Sequence, residues 1–197
     1  MSFLITTVVV AQEEGDTQVK TLLSKYNEIK GFGALDIKMT DVISKRAMIA
    51  GAYGGVIVNK QIMLGLGGYG FATNVDISSN ATEDIDLEGG YGGLMLGLII
   101  APREIVHVTL PLFVGAGTFH RVDERFEFAQ QITDVTLESS SFAVIEPGLQ
   151  LEVNISKSVR LNFGASYRYI QGTSLSTIRD KDLSDFAGNV TLKVGKF

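Results

Sequence analysis

The chain has 197 residues, which suits one domain with a sizeable sheet, and 45% of its residues are apolar. A formal net charge of -5 argues against nucleic acid as a partner, and the absence of cysteine excludes disulfides and thiolate metal sites. No apolar run approaches the ~18 residues of a membrane helix, so the apolar residues are spread along the chain in short alternating stretches.

The first eleven residues, MSFLITTVVVA, form a short apolar block that is followed by the polar sequence QEEGD. This pattern resembles the apolar region of a signal peptide, although no Lys or Arg precedes it, and a strand or a buried N-terminal segment is the alternative. On the signal-peptide interpretation the mature chain begins near Gln12 and is exported. Residues 12–29 form a leader, in which helical spacing from Val19 to Ile29 predicts a short amphipathic helix or, alternatively, a mobile segment.

Eight stretches of the remaining chain have the length and composition of β-strands, and they define a predicted barrel domain over residues 30–197. Their approximate bounds are 30–40, 45–58, 61–74, 85–100, 103–119, 141–155, 158–171 and 184–196. Tight turns are predicted at Asn59–Lys60, Pro102 and Ser156–Lys157, and longer polar links at 41–44, 75–84, 120–140 and 172–183. Short turns at one end, with both chain termini, and longer loops at the other are typical of an all-β, antiparallel, up-and-down transmembrane barrel.

Glycine and tyrosine recur together in three neighbouring predicted strands, at Gly51–Gly55, Gly67–Gly70 and Gly89–Gly93. Glycine permits sharp coiling and close backbone approach, so these segments are interpreted as curvature devices of a small barrel. A phosphate-binding loop would need a following helix and lysine, and neither is indicated. Because apolar residues occur at both odd and even positions here, the sequence does not decide which side chains of strands one to four point into the barrel.

The segment 142–170 alternates most clearly and predicts a hairpin with one apolar and one polar face. Pairing Ile155 with Val159 would place Glu146 opposite Arg168 and Glu152 diagonal to Arg160. The polar face predicts a ladder inside the barrel, structural or pore-lining, made of Glu146, Gln150, Glu152, Arg160, Asn162 and Arg168. The apolar face would then meet lipid, with Tyr167 and Tyr169 as interfacial aromatics; a solvated outer face of a soluble sheet is the alternative.

Three segments carry a resemblance to a known group of proteins: YGGLMLGLI, FAVIEPGLQLEVNISKSVRLNFGASYRYI and the ending NVTLKVGKF. They are similar to small outer-membrane β-barrels, the broad group that includes OmpA-type domains, and more narrowly to uncharacterised barrels of Bacteroidota-type Gram-negative bacteria. The C-terminal aromatic residue resembles the assembly signal of such proteins, although Phe197 does not share the parity of Val190, Leu192 and Val194. The resemblance implies a bacterial outer-membrane location and carries no assigned activity.

Catalytic and metal-binding signals are weak. His107 is expected inside the barrel, and His120 at a loop entrance near Ser139–Ser141, where lipid-A-modifying barrels would need a serine, histidine and carboxylate. The acidic residues between Asp76 and Glu88 lack the order of a calcium site, so no metal, cofactor or enzymatic activity is predicted.

The leading hypothesis is a monomeric outer-membrane barrel with a structural role or a role in contacts made by its loops. Its expected partners are membrane lipids, with lipopolysaccharide as a further candidate. A narrow pore, a lipid-A-modifying enzyme and a soluble periplasmic ligand-binding barrel are the alternatives.

Overall fold

The computed structural model describes residues 28–42, 45–75, 85–125, 133–173 and 180–197. The predicted signal peptide and nearly all of the leader lie outside these residues, and Ile29, at the end of the predicted leader helix, is the first residue of a strand. The strands are β1 (Ile29–Val42), β2 (Lys45–Val58), β3 (Ile62–Val75), β4 (Ile85–Ile100), β5 (Val106–Arg125), β6 (Thr133–Asn154), β7 (Val159–Gln171) and β8 (Asp185–Gly195), with a short helix α1 (Asp180–Leu183) before β8. No helix among the described residues is long and apolar enough to cross a membrane.

The eight strands form one closed barrel in which each strand pairs antiparallel with its neighbours in sequence. Pairs from Phe32–Gly195 to Thr40–Ala187 join β1 to β8 and complete the ring. Closure gives every strand a hydrogen-bonded neighbour on each side along the body of the barrel, so the sheet has no free edge strand. The predicted eight-stranded up-and-down barrel is therefore confirmed.

Three tight connections, the start of β1 and the end of β8 lie at the same end of the barrel, which we call the turn end. The opposite end is the loop end. In the β2–β3 connection the N–H of Gln61 donates to the carbonyl of Val58 at 3.1 Å. Its two central residues, Asn59 and Lys60, have φ of 53° and 63°. Consecutive positive φ values match the type I′ turn, whose twist fits an antiparallel hairpin. Residues 101–105 and 155–158 form the other two connections, at the predicted places.

The loop end differs from the prediction in two of its connections. The link expected at 41–44 is only two residues long, because β1 continues to Val42 and β2 begins at Lys45. Most of the link expected at 120–140 is strand, since β5 reaches Arg125 and β6 begins at Thr133, with a register shift after Arg121. Backbone pairing continues there between polar residues, and a sequence pattern based on apolar alternation does not separate such strands from loops.

Alternation gives the barrel an apolar outer face and a mixed inner face. Many outward apolar side chains are strongly exposed, for example Leu35 at 63%, Leu66 at 66% and Leu149 at 59%. On β1, Asp36 and Lys38 point inward and are buried. The structure thereby assigns which side chains of strands one to four point inward, which the sequence left open. Strands β2 to β5 direct aromatic and other apolar residues inward as well, namely Ile49, Tyr53, Ile57, Met63, Tyr69, Phe71, Tyr91, Met95, Ile99, Phe113 and Phe119.

Glycines on the inner face make room for these rings. A Cβ added to Gly51 would lie 2.2 Å from the ring of Tyr69. A Cβ added to Gly93 would lie 2.3 Å from the carbonyl oxygen of Val114 on the neighbouring strand. Neither position has space for a side chain, and the rings of Tyr69 and Tyr91 stack with centroids 5.1 Å apart.

Candidate functional site: the barrel interior

A carboxylate near the middle of the barrel, Glu146 on β6, collects hydrogen bonds from three other strands. Lys38 Nζ lies 2.7 Å from its Oε1, Ser166 Oγ donates to the same oxygen at 2.6 Å, and the Tyr91 hydroxyl donates to Oε2 at 3.1 Å. Lys38 also sits 3.6 Å from the centroid of the Tyr69 ring. Because the strands supplying these groups lie around the whole ring, this central cluster ties opposite walls of the barrel together.

The central cluster extends to a second carboxylate, Asp36 on β1. Its two oxygens accept hydrogen bonds from Thr191 at 2.7 Å and from the Tyr69 hydroxyl at 3.1 Å. Lys38 Nζ is 3.9 Å from Asp36 Oδ2, so one ammonium group lies between two carboxylates. The two carboxylates therefore share one cation, and hydroxyl groups supply their remaining hydrogen bonds.

Glu152 on β6 is the hub of a second cluster, nearer the turn end. Its Oε1 accepts from Arg160 Nη1 at 2.6 Å and lies 3.1 Å from His107 Nε2. Its Oε2 lies 2.6 Å from Lys193 Nζ and also accepts from the Asn162 amide at 2.8 Å. A hydroxyl donor, Thr109, completes the set at 3.0 Å. One buried carboxylate therefore has five side-chain partners, which come from β5, β7 and β8.

The structure places all six residues of the predicted ladder inside the barrel, each of them buried. β6 and β7 pair in the predicted register, since Ala143 pairs with Gln171 and Asn154 with Arg160. Glu152 contacts Arg160 diagonally, and the Asn162 amide also donates to Gln150 at 2.9 Å.

One rung of the ladder is arranged differently from the prediction. The cation that binds Glu146 is Lys38, from the far wall of the barrel, while Arg168 directs its Nε to the carbonyl of Leu183 at 3.2 Å. The sequence prediction missed Asp36, Lys38 and Lys193, although all three lie at inward positions of alternating strands. Four cationic groups and three carboxylates are thus enclosed, none more than 4% exposed: Lys38, Arg160, Arg168, Lys193, Asp36, Glu146 and Glu152.

Apolar side chains close the lumen toward the loop end. The rings of Phe119 and Phe142 stack with centroids 4.1 Å apart, and Phe71 meets Phe119 edge-on at 5.1 Å. Leu183 of α1 is 1% exposed and packs against this aromatic group. The short helix therefore acts as a cap on the barrel.

Asp180, the first residue of α1, anchors the helix to the end of β7. Its carboxylate accepts hydrogen bonds from the backbone N–H groups of Thr173 at 2.8 Å and Gly172 at 3.1 Å. Hydrogen bonding with Thr173, followed by that from Gly172, lowers the pKa of Asp180 from its usual value. Asp180 therefore remains ionised at neutral pH, which keeps these hydrogen bonds charge-assisted.

The C-terminal residue closes the turn end. Phe197 lies two residues beyond β8 and packs, partly buried, against the interior cluster. The Arg160 guanidinium sits 3.9 Å from the centroid of its ring, and Lys30 Nζ donates to its carbonyl at 3.1 Å. Phe197 has the inward parity of Thr191 and Lys193, so its ring meets the interior of the barrel and not the apolar outer face.

Two small cavities lie between these two closures among the residues that the structure describes. A cavity beside the central cluster measures about 20 Å³, and another under Leu183 about 10 Å³. A water molecule needs roughly 10–15 Å³ of such space, so the larger cavity has room for about one water. The interior is a packed, hydrogen-bonded core.

The predicted interfacial aromatics lie on the outer face near the loop end. Tyr167 and Tyr169 are 37% and 48% exposed, and Tyr167 meets Phe186 of β8 with ring centroids 4.8 Å apart. The two tyrosines and Phe186 form an exposed aromatic patch on the apolar outer face, at its loop end.

The histidines lie on opposite faces of β5. His107 is in the lumen, as predicted, whereas His120 is on the outer face, within β5 and not at a loop entrance. His120 pairs with Glu88 on β4 and with Ser139 on β6, and Thr118 Oγ1 lies 3.5 Å from its Nε2. The structure therefore aligns a carboxylate, an imidazole and hydroxyls across three strands, a register that the sequence did not reveal. Among the described residues His120 forms no hydrogen bond with Glu88 or Ser139.

Comparison with known proteins supports the fold. No known family model and no curated protein matches the chain by sequence. The crystal structure of Neisserial surface protein A (NspA) superimposes with a TM-score of 0.54 and 10% identity, covering 88% of this chain and 100% of NspA. The structure of Ail, the attachment invasion locus protein of Yersinia pestis, in complex with the heparin analogue sucrose octasulfate matches with a TM-score of 0.43 and 13% identity, covering 85% and 96% of the two chains. The chain has the fold of a small eight-stranded outer-membrane β-barrel.

Proposed function

We propose that this protein is a monomeric barrel of the bacterial outer membrane that acts through its outer surface and loops and does not conduct solutes. The observation that carries the proposal is the filled lumen, in which hydrogen-bonded charged groups lie between apolar caps and the cavity beside the central cluster has room for about one water. A channel would need a continuous wet path, and the clusters around Glu146 and Glu152 occupy the place where it would run.

The outer face fits a lipid environment. The outward apolar residues of β5 run from Val106 to Ala116, which corresponds to about 25 Å along the barrel axis for a tilted strand. Exposed Leu, Ile, Val, Met and Phe side chains surround the barrel, and soluble monomers rarely expose apolar patches of more than a few hundred Å². The aromatic patch at Tyr167, Tyr169 and Phe186 supports an interface with lipid headgroups at the loop end.

The orientation follows from these features. The turn end, where β1 begins and β8 ends, would face the periplasm, and the loop end, where β1, β3, β5 and β7 end, would face the exterior. Contacts with lipids, and with lipopolysaccharide in the outer leaflet, belong to this proposal. So do an exported precursor with a signal peptide at 1–11 and a relationship to Bacteroidota-type barrels. The links at the loop end are the regions through which a protein partner would be contacted.

Envelope fractionation with heat-modifiable gel migration tests the location. We expect the protein in the outer-membrane fraction, migrating as a compact form when unheated and more slowly after boiling. Recovery in the soluble periplasm without detergent would contradict the proposal and favour a soluble ligand-binding barrel. Planar-bilayer recording tests the closed lumen: we expect a silent membrane, whereas discrete conductance steps would favour the narrow pore.

A second candidate function, modification of a lipid such as lipid A, is favoured by the alignment of Glu88, His120, Ser139 and Thr118 on the outer face. In such a reaction a hydroxyl would attack the carbonyl carbon of an acyl ester while the imidazole takes its proton; the ester C–O bond breaks, the imidazole returns the proton to the departing lipid alcohol, and water then releases the acyl group as a fatty acid. The test compares lipid A from envelopes carrying the wild-type protein and His120→Ala. Lipid A that is the same in both excludes this candidate, and acyl chains lost only with the wild type would support it.

A further inference from the structure

A cleft separates two connections at the turn end of the barrel. One wall is the β2–β3 turn, residues 59–61, and the other is the β4–β5 connection from Ala101 to Glu104. The N–H of Ile99 donates to the carbonyl of Gln61 at 2.7 Å, which fixes the two connections side by side. The cleft has a volume of about 400 Å³, within the range of small-ligand sites.

The lining of the cleft favours an anion. Lys60 and Arg103 supply one cation from each wall, and the side-chain amide of Gln61 supplies a further donor. Arg103 makes no ion pair or hydrogen bond with any described residue. Glu104 is the one carboxylate among the lining residues.

An apolar wall begins directly beside the cleft. Ile62 follows the first connection, and Leu98 and Ile100 precede the second, and these three side chains are 46–48% exposed on the outer face. Cationic and amide donors therefore lie at the edge of the lipid-facing surface. This combination is complementary to a molecule that joins a phosphate to acyl chains, because a soluble phosphate would leave the apolar wall unused.

We propose that this cleft binds the phosphate of an anionic phospholipid from the leaflet at the turn end. Lys60 and Arg103 hold the phosphate, and the acyl chains lie along Ile62, Leu98 and Ile100. The proposal rests on the proposed membrane location, because only an inserted barrel meets such a lipid.

Glu28 modulates the site. Its carboxylate lies 2.6 Å from Lys30 Nζ and 3.5 Å from Lys60 Nζ, and the hydrogen bond from Lys30 is the main cause that lowers the pKa of Glu28. Glu28 is therefore ionised at neutral pH and competes with the phosphate for Lys60. Removing its charge should strengthen lipid binding.

The test is native mass spectrometry of the folded barrel in detergent, titrated with phosphatidylglycerol and with diacylglycerol of the same chains. We expect the wild-type protein to retain phosphatidylglycerol preferentially. Lys60→Gln combined with Arg103→Gln should weaken that binding about ten- to thirty-fold, on the basis of roughly 1 kcal/mol for each basic residue near a phosphate-bearing surface. Lys157→Gln, at the third turn and outside the cleft, is the matched control and should change binding less than two-fold. Glu28→Gln should tighten it.

Two results would overturn the inference. If Lys157→Gln weakens phosphatidylglycerol binding as much as the double variant of the cleft, the effect is one of general charge. If free glycerol phosphate binds as tightly as phosphatidylglycerol, the acyl chains contribute nothing. Insertion into vesicles, followed by heat-modifiable migration, is measured on the same samples. A barrel that inserts but does not distinguish the two lipids contradicts this inference alone, whereas a barrel that fails to insert contradicts the proposed function.

Discussion

Replacing Glu152 with Gln isolates the contribution of buried charge pairing to this barrel. The substitution keeps the size of the side chain and removes the negative charge that lies 2.6 Å from both Lys193 and Arg160. Both cations are almost fully buried, so neither can recover solvation by rotating into water. Breaking a buried ion pair by removing one partner costs about 3–5 kcal/mol, a large part of the ~5–15 kcal/mol by which folded proteins are stable.

The assay is urea unfolding of the barrel in phospholipid vesicles, followed by the fraction of heat-modifiable form and by circular dichroism. We expect Glu152→Gln to lower the free energy of unfolding by about 3 kcal/mol or more. The matched control is Glu104→Gln at the turn end, an exposed position whose side chain has no ion pair among the described residues; it should change stability by less than about 0.5 kcal/mol.

A double variant tests the cause of the loss. Adding Lys193→Met to Glu152→Gln removes one of the two cations left without a partner, so part of the lost stability should return. If Glu152→Gln costs no more than Glu104→Gln, the five contacts of this carboxylate do not stabilise the barrel and the reasoning is wrong.

Two further substitutions test the close contact of neighbouring strands and the closure of the turn end. Gly93→Ala places a Cβ 2.3 Å from the carbonyl oxygen of Val114, so it should lower the free energy of unfolding by about 3 kcal/mol or prevent formation of the compact form on gels. Its control is Gly33→Ala, whose added Cβ meets nothing within 4 Å and should be tolerated. Phe197→Ala removes the ring 3.9 Å from the Arg160 guanidinium and should lower stability by about 0.5–2 kcal/mol in the same urea assay; an unchanged midpoint would show that the C-terminal ring does not contribute to the folded barrel.

The hairpin of β6 and β7 was predictable from sequence because its two faces differ sharply in polarity. Leu149 and Leu151 alternate with Gln150 and Glu152, so period, register and facing follow from one pattern. Strands β2 to β4 lack this contrast. Tyr53, Met63 and Met95 point inward while apolar residues also cover the outer face, and only closure of the ring decides which parity is enclosed.

The pairing of Lys38 with Glu146 lies beyond sequence reasoning of this kind. The two residues are on β1 and β6, which are not neighbours in the ring, so no cross-strand rule relates them. Their contact depends on the stagger and diameter of the closed barrel, which set the height of each inward residue across the lumen. For the same reason the alignment of Glu88, His120 and Ser139 requires the registers of two strand pairs to be known together.

The contacts across the lumen have a consequence for how the barrel is made. Lys38 meets Glu146 at a separation of 108 residues, and Asp36 meets Thr191 at a separation of 155. Neither contact exists until β1 has met the strands of the C-terminal half, β6 and β8, so a sheet that is still open contains charged groups without their partners inside a lipid environment. Intermediates with some strands inserted are therefore disfavoured relative to the complete ring, and we expect this protein to fold and unfold in a single cooperative step.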